Sequence, residues 1–276
     1  MSDVQVSTRP VLVALDIDGT LLLQDESLSE GILEAIRDAE AAGHTLMIAT
    51  GRSWNTVQRI MRELGLAPEY VVASNGAVIL RRDESDATGY APFKVETFEP
   101  AGVLTLLREH LPEARYMVEQ PDGARLYTED IPEWELGRAK QVPFEVMLEV
   151  PVSRVVVVSP THDNDDFLRL VESIGLNQVS YAVGWTAWLD IAPHGVNKGT
   201  ALEQVREWLG FAPADVLVIG DGRNDLEMFA WAREAGGRAF AMGQGPQEVL
   251  DAATHITGTV HEGGAARVLR DLAANA

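Results

Sequence analysis

Two carboxylates separated by one residue follow an apolar segment close to the N-terminus, in the run Val11-Leu-Val-Ala-Leu-Asp-Ile-Asp-Gly-Thr-Leu21. If this segment is a strand, Asp16 and Asp18 point the same way, because side chains alternate along a strand. Two carboxylates held close together raise each other's pKa unless positive charge compensates them. That charge could come from Mg²⁺ or from the positive groups that surround a bound phosphate. The alternative is a strand end followed by an ordinary Asp-Gly turn, and this segment alone leaves both interpretations open.

Two further polar clusters open predicted helices. Thr50-Gly-Arg52 combines a hydroxyl, a glycine that permits close backbone approach and a helix N-terminus, which together make an anion site. The alternative is a simple threonine or serine helix cap. In Asn197-Lys-Gly-Thr200, Lys198 opposes the helix macrodipole, so a nearby anion explains its position better than helix stability does, although a lone lysine also suits solvated surface.

A fourth cluster, Gly220-Asp-Gly-Arg-Asn-Asp225, directly follows the apolar run 216–219. It does not match the dinucleotide-binding pattern, because Asp225 occupies the place of the third glycine. Two carboxylates and Asn224 at this junction are instead typical oxygen ligands for Mg²⁺. Capping of the next helix would account for Asn224 or Asp225, but it would leave Asp221 unexplained.

The elements that position these clusters alternate between strand and helix. Continuous apolar runs predict buried strands, and apolar residues at helical spacing predict helices between them. We predict strands over residues 11–17, 45–49, 70–73, 216–219 and 238–241, and helices over 28–42, 53–64, 200–209, 225–234 and after Pro246 and Gly263. This alternation indicates an α/β fold with a Rossmann-like parallel-sheet core. Ligands bind at the carboxyl ends of such strands, so the four clusters are expected to be neighbours.

The middle of the chain has a different pattern. Strand-like pieces over residues 115–118, 125–128, 155–158 and 179–182 outnumber the candidate helices over 101–110 and 165–174. Because the alternating pattern resumes afterwards, we predict an inserted α+β domain. The predicted boundaries give a discontinuous core of residues 1–82 and 186–276 and an insert of residues 83–185.

Composition narrows the class of protein. The 276 residues contain no cysteine, which excludes disulfides and structural thiolate metal sites. The formal charge of -20 opposes non-specific contact with nucleic acid or anionic lipid, so an anionic substrate needs a site that is positive only locally. Residues 1–10 lack the pattern of a secretory signal, and no apolar run reaches the length of a membrane span. We therefore expect a soluble cytoplasmic protein without nucleic-acid or membrane partners.

Five motifs taken together resemble one family. Asp16-x-Asp-Gly-Thr, Thr50-Gly-Arg, Ser74-Asn-Gly-Ala77, Lys198-Gly-Thr-Ala-Leu and Gly220-Asp-x-x-Asn-Asp225 occur in the order and approximate spacing of the haloacid dehalogenase superfamily. The chain is most similar to its Cof-type phosphatases, in which a large α/β cap is inserted between the second and third motifs. The resemblance covers residues 10–80 and 187–270, and the insert matches in position and size only.

The resemblance implies a Mg²⁺-dependent phosphatase that hydrolyses a small phosphorylated metabolite, such as a sugar phosphate, through an aspartyl-phosphate. It makes Asp16 the nucleophile and Asp18 the general acid and base, with Thr50 and Lys198 binding the phosphoryl group. The implied Mg²⁺ ligands are Asp16, Asp18 through its carbonyl, Asp221, Asn224 and Asp225. The residues expected at the substrate rim are Gly51, Arg52, Asn75 and Asn197.

Other interpretations stay open on the sequence. A phosphosugar mutase would use the same aspartyl-phosphate, and a non-catalytic metabolite-binding protein would retain the fold while losing the catalytic set. A phospho-accepting receiver has no place for the insert. In the insert, Arg125, Arg154, Trp185 and Trp188 could contact a sugar, although aromatic residues in a strand-rich segment are more often core. A monomer and a homodimer are both compatible with the sequence.

Overall fold

The computed structural model describes residues 9–129, 138–161, 163–176, 179–183 and 188–276. Its strands, in chain order, are β1 (Leu12–Leu15), β2 (Thr45–Ile48), β3 (Tyr70–Ala73), β4 (Val78–Arg82), β5 (Tyr90–Val95), β6 (Arg115–Glu119), β7 (Arg125–Tyr127), β8 (Ala139–Gln141), β9 (Arg154–Val158), β10 (Val179–Val183), β11 (Trp188–Pro193), β12 (Val216–Gly220), β13 (Arg238–Ala241) and β14 (His255–Ile256). Its helices are α1 (Ile32–Ala41), α2 (Trp54–Leu64), α3 (Ala101–His110), α4 (Phe144–Met147), α5 (Asn164–Ile174), α6 (Lys198–Leu209), α7 (Leu226–Glu234), α8 (Gln247–Ala252) and α9 (Gly264–Ala274).

A five-stranded parallel sheet of order β14-β13-β12-β1-β2 forms the centre of the core. Its strands are short apolar runs because both faces are covered by helices. Along β1, Val13 and Leu15 pack on the face covered by α1, α2 and α9, whereas Leu12 and Ala14 pack on the face covered by α6, α7 and α8. The α/β class predicted from the sequence is confirmed.

The antiparallel strands β3, β4 and β5 extend this core beyond β2. A parallel bridge between Ala49 and Val72 joins the two groups of strands. β4 and β5 were missing from the sequence prediction, which ended the first part of the core at residue 82. Residues 83–89 are instead the loop of the hairpin that joins these two strands.

The inserted region forms a second, six-stranded mixed sheet of order β10-β11-β9-β6-β7-β8. One face of this sheet packs against α3 and α5, where Leu107 and Phe167 contact the apolar side chains of β9 and β11. On the other face, Met117 and Val156 are buried beside the partly buried Trp188. The insert therefore has its own hydrophobic core, in agreement with the predicted α+β class.

Strand pairing gives domain boundaries that differ from the predicted ones. β5 pairs with β4 in the core, so the chain leaves the core after Val95 and not after Arg82. β11 pairs with β9 and β10, so the chain returns only after Pro193. The apolar run of β11 resembles a core strand in sequence, which explains the early return predicted at 186. The predicted boundary at 185/186 and Trp185 lie outside the described residues.

Within the ranges that the structure describes, no helix has the length and apolar character needed to cross a membrane.

Candidate active site

The carboxyl ends of four core strands bring the predicted clusters to one edge of the sheet. Asp16 directly follows β1, and Asp221 directly follows β12, which pairs with β1 in parallel. Thr50 lies two residues beyond β2, and its N–H donates to the carbonyl of Val72 in β3. Lys198 begins α6 and reaches the same edge. The topology thus explains why residues far apart in sequence meet.

Lys198 is fully buried between two carboxylates. Its Nζ donates to Oδ1 of Asp16 and to Oδ1 of Asp225, at 2.7 Å in both cases. Burial alone would lower the pKa of Lys198, but the charges of Asp16 and Asp225 outweigh it and raise that pKa. Lys198 is therefore a fixed positive charge, and its place at a helix N-terminus is explained by two anions of the protein itself.

Asp16, Asp221 and Asp225 form a buried acidic cluster in which one ligand oxygen from each lies within 4.8 Å of the others. Burial raises the pKa of Asp16 well above its ordinary value, Lys198 opposes this rise, and Asp225 and Asp221 add to it. Burial, followed by the charge of Asp225, raises the pKa of Asp221 to about 7. Three buried carboxylates thus face one ammonium, and a divalent cation would restore the balance of charge. The oxygen donors fit a hard cation.

Asp225 also shapes the loop that carries Asp221. Its Oδ2 accepts hydrogen bonds from the backbone N–H groups of Asp221 at 2.9 Å and Gly222 at 3.0 Å. Asn224, which the sequence suggested as a ligand, donates from Nδ2 to Oδ1 of Asn75 at 3.1 Å. Asp225 therefore holds both Lys198 and the strand-to-helix turn in place.

Asp18 has a different environment from Asp16, although only one residue separates them. Its half-exposed carboxylate accepts from Arg52, with Nε 2.9 Å from Oδ2 and Nη2 2.6 Å from Oδ1. Arg52 Nη1 donates to Glu26 Oε1 at 2.9 Å. Burial would lower the pKa of Arg52, but the Asp18 and Glu26 carboxylates raise it. The guanidinium placed at the substrate rim by the sequence is thus shared between two carboxylates.

The remaining predicted residues line the same edge. Thr50 is buried, and its Oγ1 accepts from the N–H of Arg52 at 3.1 Å. A Cβ on Gly51 would lie 3.1 Å from Oδ1 of Asn75, so glycine permits this close approach. Asn197 caps α6, because its Oδ1 accepts from the Thr200 N–H at 2.9 Å. Helix capping thus explains why an asparagine occupies position 197.

Asn75 connects the core to the inserted sheet. It follows β3 in a left-handed backbone conformation with φ of 50°, and its Nδ2 donates to Oδ2 of Asp190 in β11 at 2.8 Å. Arg154 of β9 binds the same carboxylate, with Nε 2.7 Å from Oδ1 and Nη2 2.7 Å from Oδ2. Arg154 also donates from Nη1 to Oγ of Ser53 at 3.1 Å. Both charged side chains are buried where the two sheets meet.

A second buried ion pair lies in the same sheet. Arg125 Nε is 3.1 Å from Oε2 of Glu119, and Ser74 of the core donates to Oε1 of Glu119 at 3.2 Å. Arg125 and Arg154, proposed from the sequence as sugar contacts, are therefore each paired with a carboxylate.

Open space of about 300 Å³ lies between the core and the inserted sheet beside Lys198. Polar side chains from both regions contribute to its lining, together with apolar surface. The residues that line it are Asn75, Ser180, Tyr181, Asp190, Ala192, Val196, Asn197, Lys198, Asn224 and Glu227.

Gln244 is a site residue that the sequence reasoning missed. Its Nε2 donates to the carbonyl of Gly19 at 2.6 Å and to Oδ2 of Asp221 at 3.3 Å, while its Oε1 accepts from the N–H of Val260. Its hydrogen bond opposes the rise in the pKa of Asp221. Its position shortly after β13 was the sequence signal that could have identified it, because the other clusters also follow core strands at this edge of the sheet.

The chain is similar to known proteins in sequence and in fold. The family model described as haloacid dehalogenase-like hydrolase matches residues 13–269. The Bacillus subtilis protein YxeH is 31% identical over 273 residues, which are 95% of this chain and 97% of the relative. The 5-amino-6-(5-phospho-D-ribitylamino)uracil phosphatase YitU of Bacillus subtilis is 26% identical, over 96% of this chain and 98% of the relative. The solved structure of the subclass IIB sugar phosphatase BT4131 shares the fold, with a TM-score of 0.76, 19% identity and coverage of 95% of this chain and 98% of that one.

The chain therefore belongs to the haloacid dehalogenase-like hydrolases. Within them it is one of the Cof-type phosphatases.

Proposed function

We propose that this protein is a Mg²⁺-dependent phosphatase that hydrolyses a small sugar or polyol phosphate through an aspartyl-phosphate on Asp16. The observation that carries the proposal is the buried contact of Lys198 with Asp16 and Asp225, next to Asp221. A carboxylate can approach a phosphate dianion only where charge is neutralised, and this cluster supplies both the carboxylate and fixed positive charge.

In the proposed reaction, an Asp16 carboxylate oxygen attacks phosphorus and the bond from phosphorus to the leaving oxygen breaks. The leaving oxygen takes a proton from the Asp18 carboxyl, which releases an alcohol and leaves phosphate bound to Asp16. Asp18, now ionised, accepts a proton from the water that attacks phosphorus. The bond between phosphorus and the Asp16 oxygen then breaks, which releases inorganic phosphate and regenerates the Asp16 carboxylate. Lys198 and Thr50 hold the phosphoryl oxygens by charge and hydrogen bonding.

Asp16, Asp221 and Asp225 are the side chains that would hold Mg²⁺, together with the carbonyl of Asp18. The cation would neutralise charge on the phosphoryl group. The inserted sheet would exclude water from the site during the transfer, as active-site lids do.

The substrate class rests on the relatives. One similar structure is that of a sugar phosphatase, and one curated relative is named for a substrate that carries a phosphorylated ribityl chain. Both classes contain a phosphate ester on a hydroxylated carbon chain. The lining between core and insert includes amide and hydroxyl groups, which could pair with the hydroxyls of such a leaving group.

The proposal is tested with Asp16→Asn. Turnover of sugar phosphates with Mg²⁺ is expected to fall below about one thousandth of that of the wild type, because the nucleophile is lost. The fold is expected to persist, since the amide keeps the shape of a carboxyl whose burial is unfavourable. Appreciable phosphate release by the purified variant would contradict the assignment, and interconversion of sugar phosphates without phosphate release by the wild type would indicate a mutase.

A further inference from the structure

We propose that Glu26 is a positioning residue for the acid and base step, acting on Asp18 through Arg52. The inference rests on the proposed function, in which Asp18 donates the proton to the leaving oxygen. It adds to that function a residue outside the motifs, on the loop between β1 and α1.

The contacts form a continuous chain of four side chains. Arg59 Nη2 donates to Oε2 of Glu26 at 2.6 Å, and Arg52 Nη1 donates to Oε1 of Glu26 at 2.9 Å. The opposite edge of the same guanidinium, Nε and Nη2, donates to the Asp18 carboxylate at 2.9 and 2.6 Å. Glu26 is therefore bound on both oxygens, and Arg52 is bound on two edges.

The planar guanidinium explains how Glu26 can act at a distance. Its donors form a rigid fork, so a partner that fixes Nη1 also fixes the direction of the edge formed by Nε and Nη2. Asp18 needs such support because its side chain is 55% exposed and its hydrogen bonds in the described part of the chain come from Arg52. Without Glu26, Arg52 would keep its charge but lose one of the two contacts that set its orientation.

The backbone at Glu26 supports a role beyond surface charge. The backbone of Glu26 has a φ of 63°, a left-handed conformation that residues other than glycine rarely adopt. A residue keeps such a strained backbone conformation only where contacts with its surroundings hold it, and residues of this kind cluster at functional sites. Here two arginines hold the side chain of Glu26, Arg52 just before α2 and Arg59 within α2.

The proposed role predicts a dependence on the leaving group. A sugar alkoxide is a strong base and leaves only when it is protonated, whereas nitrophenolate leaves without a proton. The ratio kcat/KM covers the steps up to departure of the leaving group. Loss of Glu26 should therefore lower kcat/KM for a sugar phosphate much more than for p-nitrophenyl phosphate.

The experiment compares Glu26→Gln with Glu63→Gln in the full-length protein with Mg²⁺. Glu63 is a matched control, because it pairs with Arg59 at 3.9 Å and is equally exposed, but its ion pair involves Arg59 and not Arg52. Glucose 6-phosphate and p-nitrophenyl phosphate serve as substrates. E26Q is expected to lower the ratio of their kcat/KM values about tenfold, a part of the 10²–10⁴ that general acids contribute, and E63Q is expected to leave the ratio unchanged.

Asp18→Asn separates failure of this inference from failure of the proposed function. If D18N lowers both substrates equally, Asp18 is not the acid and the proposed function is wrong in this step. If D18N acts selectively on the sugar phosphate but E26Q lowers both substrates equally or neither, the positioning role of Glu26 is overturned. Because the ratio is internal to each sample, partial unfolding of a variant cannot imitate the selective loss.

Discussion

Charge balance dominates the behaviour of individual residues at this site. Three buried carboxylates share one ammonium, and the raised pKa of Asp221, about 7, records the deficit of positive charge. A buried carboxyl in this position is partly protonated near neutral pH. A divalent cation binds only the ionised form, so cations and protons compete for Asp221.

This competition makes the stabilising effect of Mg²⁺ depend on pH. The folded pKa of Asp221 lies above the ordinary value of 3.8, so the contribution of Asp221 to stability is present below about pH 4 and is lost as the pH rises through about 7. At pH 5, two units below this pKa, proton competition is expected to weaken Mg²⁺ binding roughly 100-fold. Mg²⁺ should therefore raise the melting temperature more at pH 8 than at pH 5.

Differential scanning calorimetry with and without Mg²⁺ measures this effect, and Asp221→Asn is the control. The variant cannot ionise at this position, so its response to Mg²⁺ should be small at both pH values. A wild-type response that is equal at pH 5 and pH 8 would contradict the role of Asp221 as the competing group.

The sequence predicted which residues meet at the edge of the core sheet better than it predicted their hydrogen-bond and ion-pair partners. Asp16 and Asp221 directly follow apolar runs, so the rule that parallel strands end at one edge was enough to bring them together. It was not enough for Asp190, whose position depends on the packing of the insert over the core. Nor could a sequence show that Arg52 pairs with Asp18, because ion-pair choice depends on side-chain geometry.

At the scale of elements, the close packing of α6 against α7 sets the position of Lys198. Gly199 is the second residue of α6, and a Cβ there would lie 2.6 Å from the carbonyl oxygen of Glu227 and 3.1 Å from Cβ of Trp231. The helix N-terminus that carries Lys198 can therefore approach α7 only because residue 199 lacks a side chain.

Gly199→Ala is expected to destabilise the protein by about 1–3 kcal/mol, the cost of overpacking, although alanine favours helix more than glycine does. Gly102→Ala in α3 is the matched control, because a Cβ at Gly102 meets no atom within 4 Å. There the substitution should stabilise the protein by about 0.5–1 kcal/mol. Urea unfolding measures both changes, and a stabilising effect at Gly199 would show that α6 and α7 can separate freely.

The elements of the core were easier to predict than their limits. β3 and β13 have the predicted bounds, because β3 is a compact apolar run and β13 is apolar apart from Arg238. α1 begins at Ile32 and not at Leu28, because Gly31 adopts a left-handed conformation with φ of 70° and Leu28 forms a bridge with Leu22. Apolar periodicity alone does not distinguish such a bridge from a first helical turn.

At the scale of the whole molecule, side-chain hydrogen bonds join the insert to the core within the residues that the structure describes. Arg154 donates to Ser53 Oγ, Ser74 Oγ donates to Glu119, and Asn75 donates to Asp190. Each such bond contributes about 1 kcal/mol net, so the loss of these three bonds on separation would cost about 3 kcal/mol. Substrate entry requires a separation of this kind if the insert acts as a lid.

Removing two of these contacts should favour the separated form. The double variant Ser53→Ala with Ser74→Ala is expected to shift the equilibrium by about 2 kcal/mol, which is roughly 30-fold in population. Small-angle X-ray scattering should then give a larger radius of gyration than that of the wild type. Ser173→Ala is the control, because its hydroxyl bonds within α5 to the carbonyl of Leu170. An unchanged scattering profile of the double variant would show that other contacts hold the insert.

The short connection from the insert back to the core constrains the evolution of chain length. β11 ends at Pro193 and α6 begins at Lys198, and five residue steps span roughly 18 Å at most. An added or deleted residue in 194–197 would rotate the N-terminus of α6 relative to the sheet. The Lys198 ammonium would then move away from the carboxylates of Asp16 and Asp225. The hairpin loop 83–89, at the far edge of the core, carries no such constraint. Length variation among related sequences should therefore collect at that loop and avoid the connection into α6.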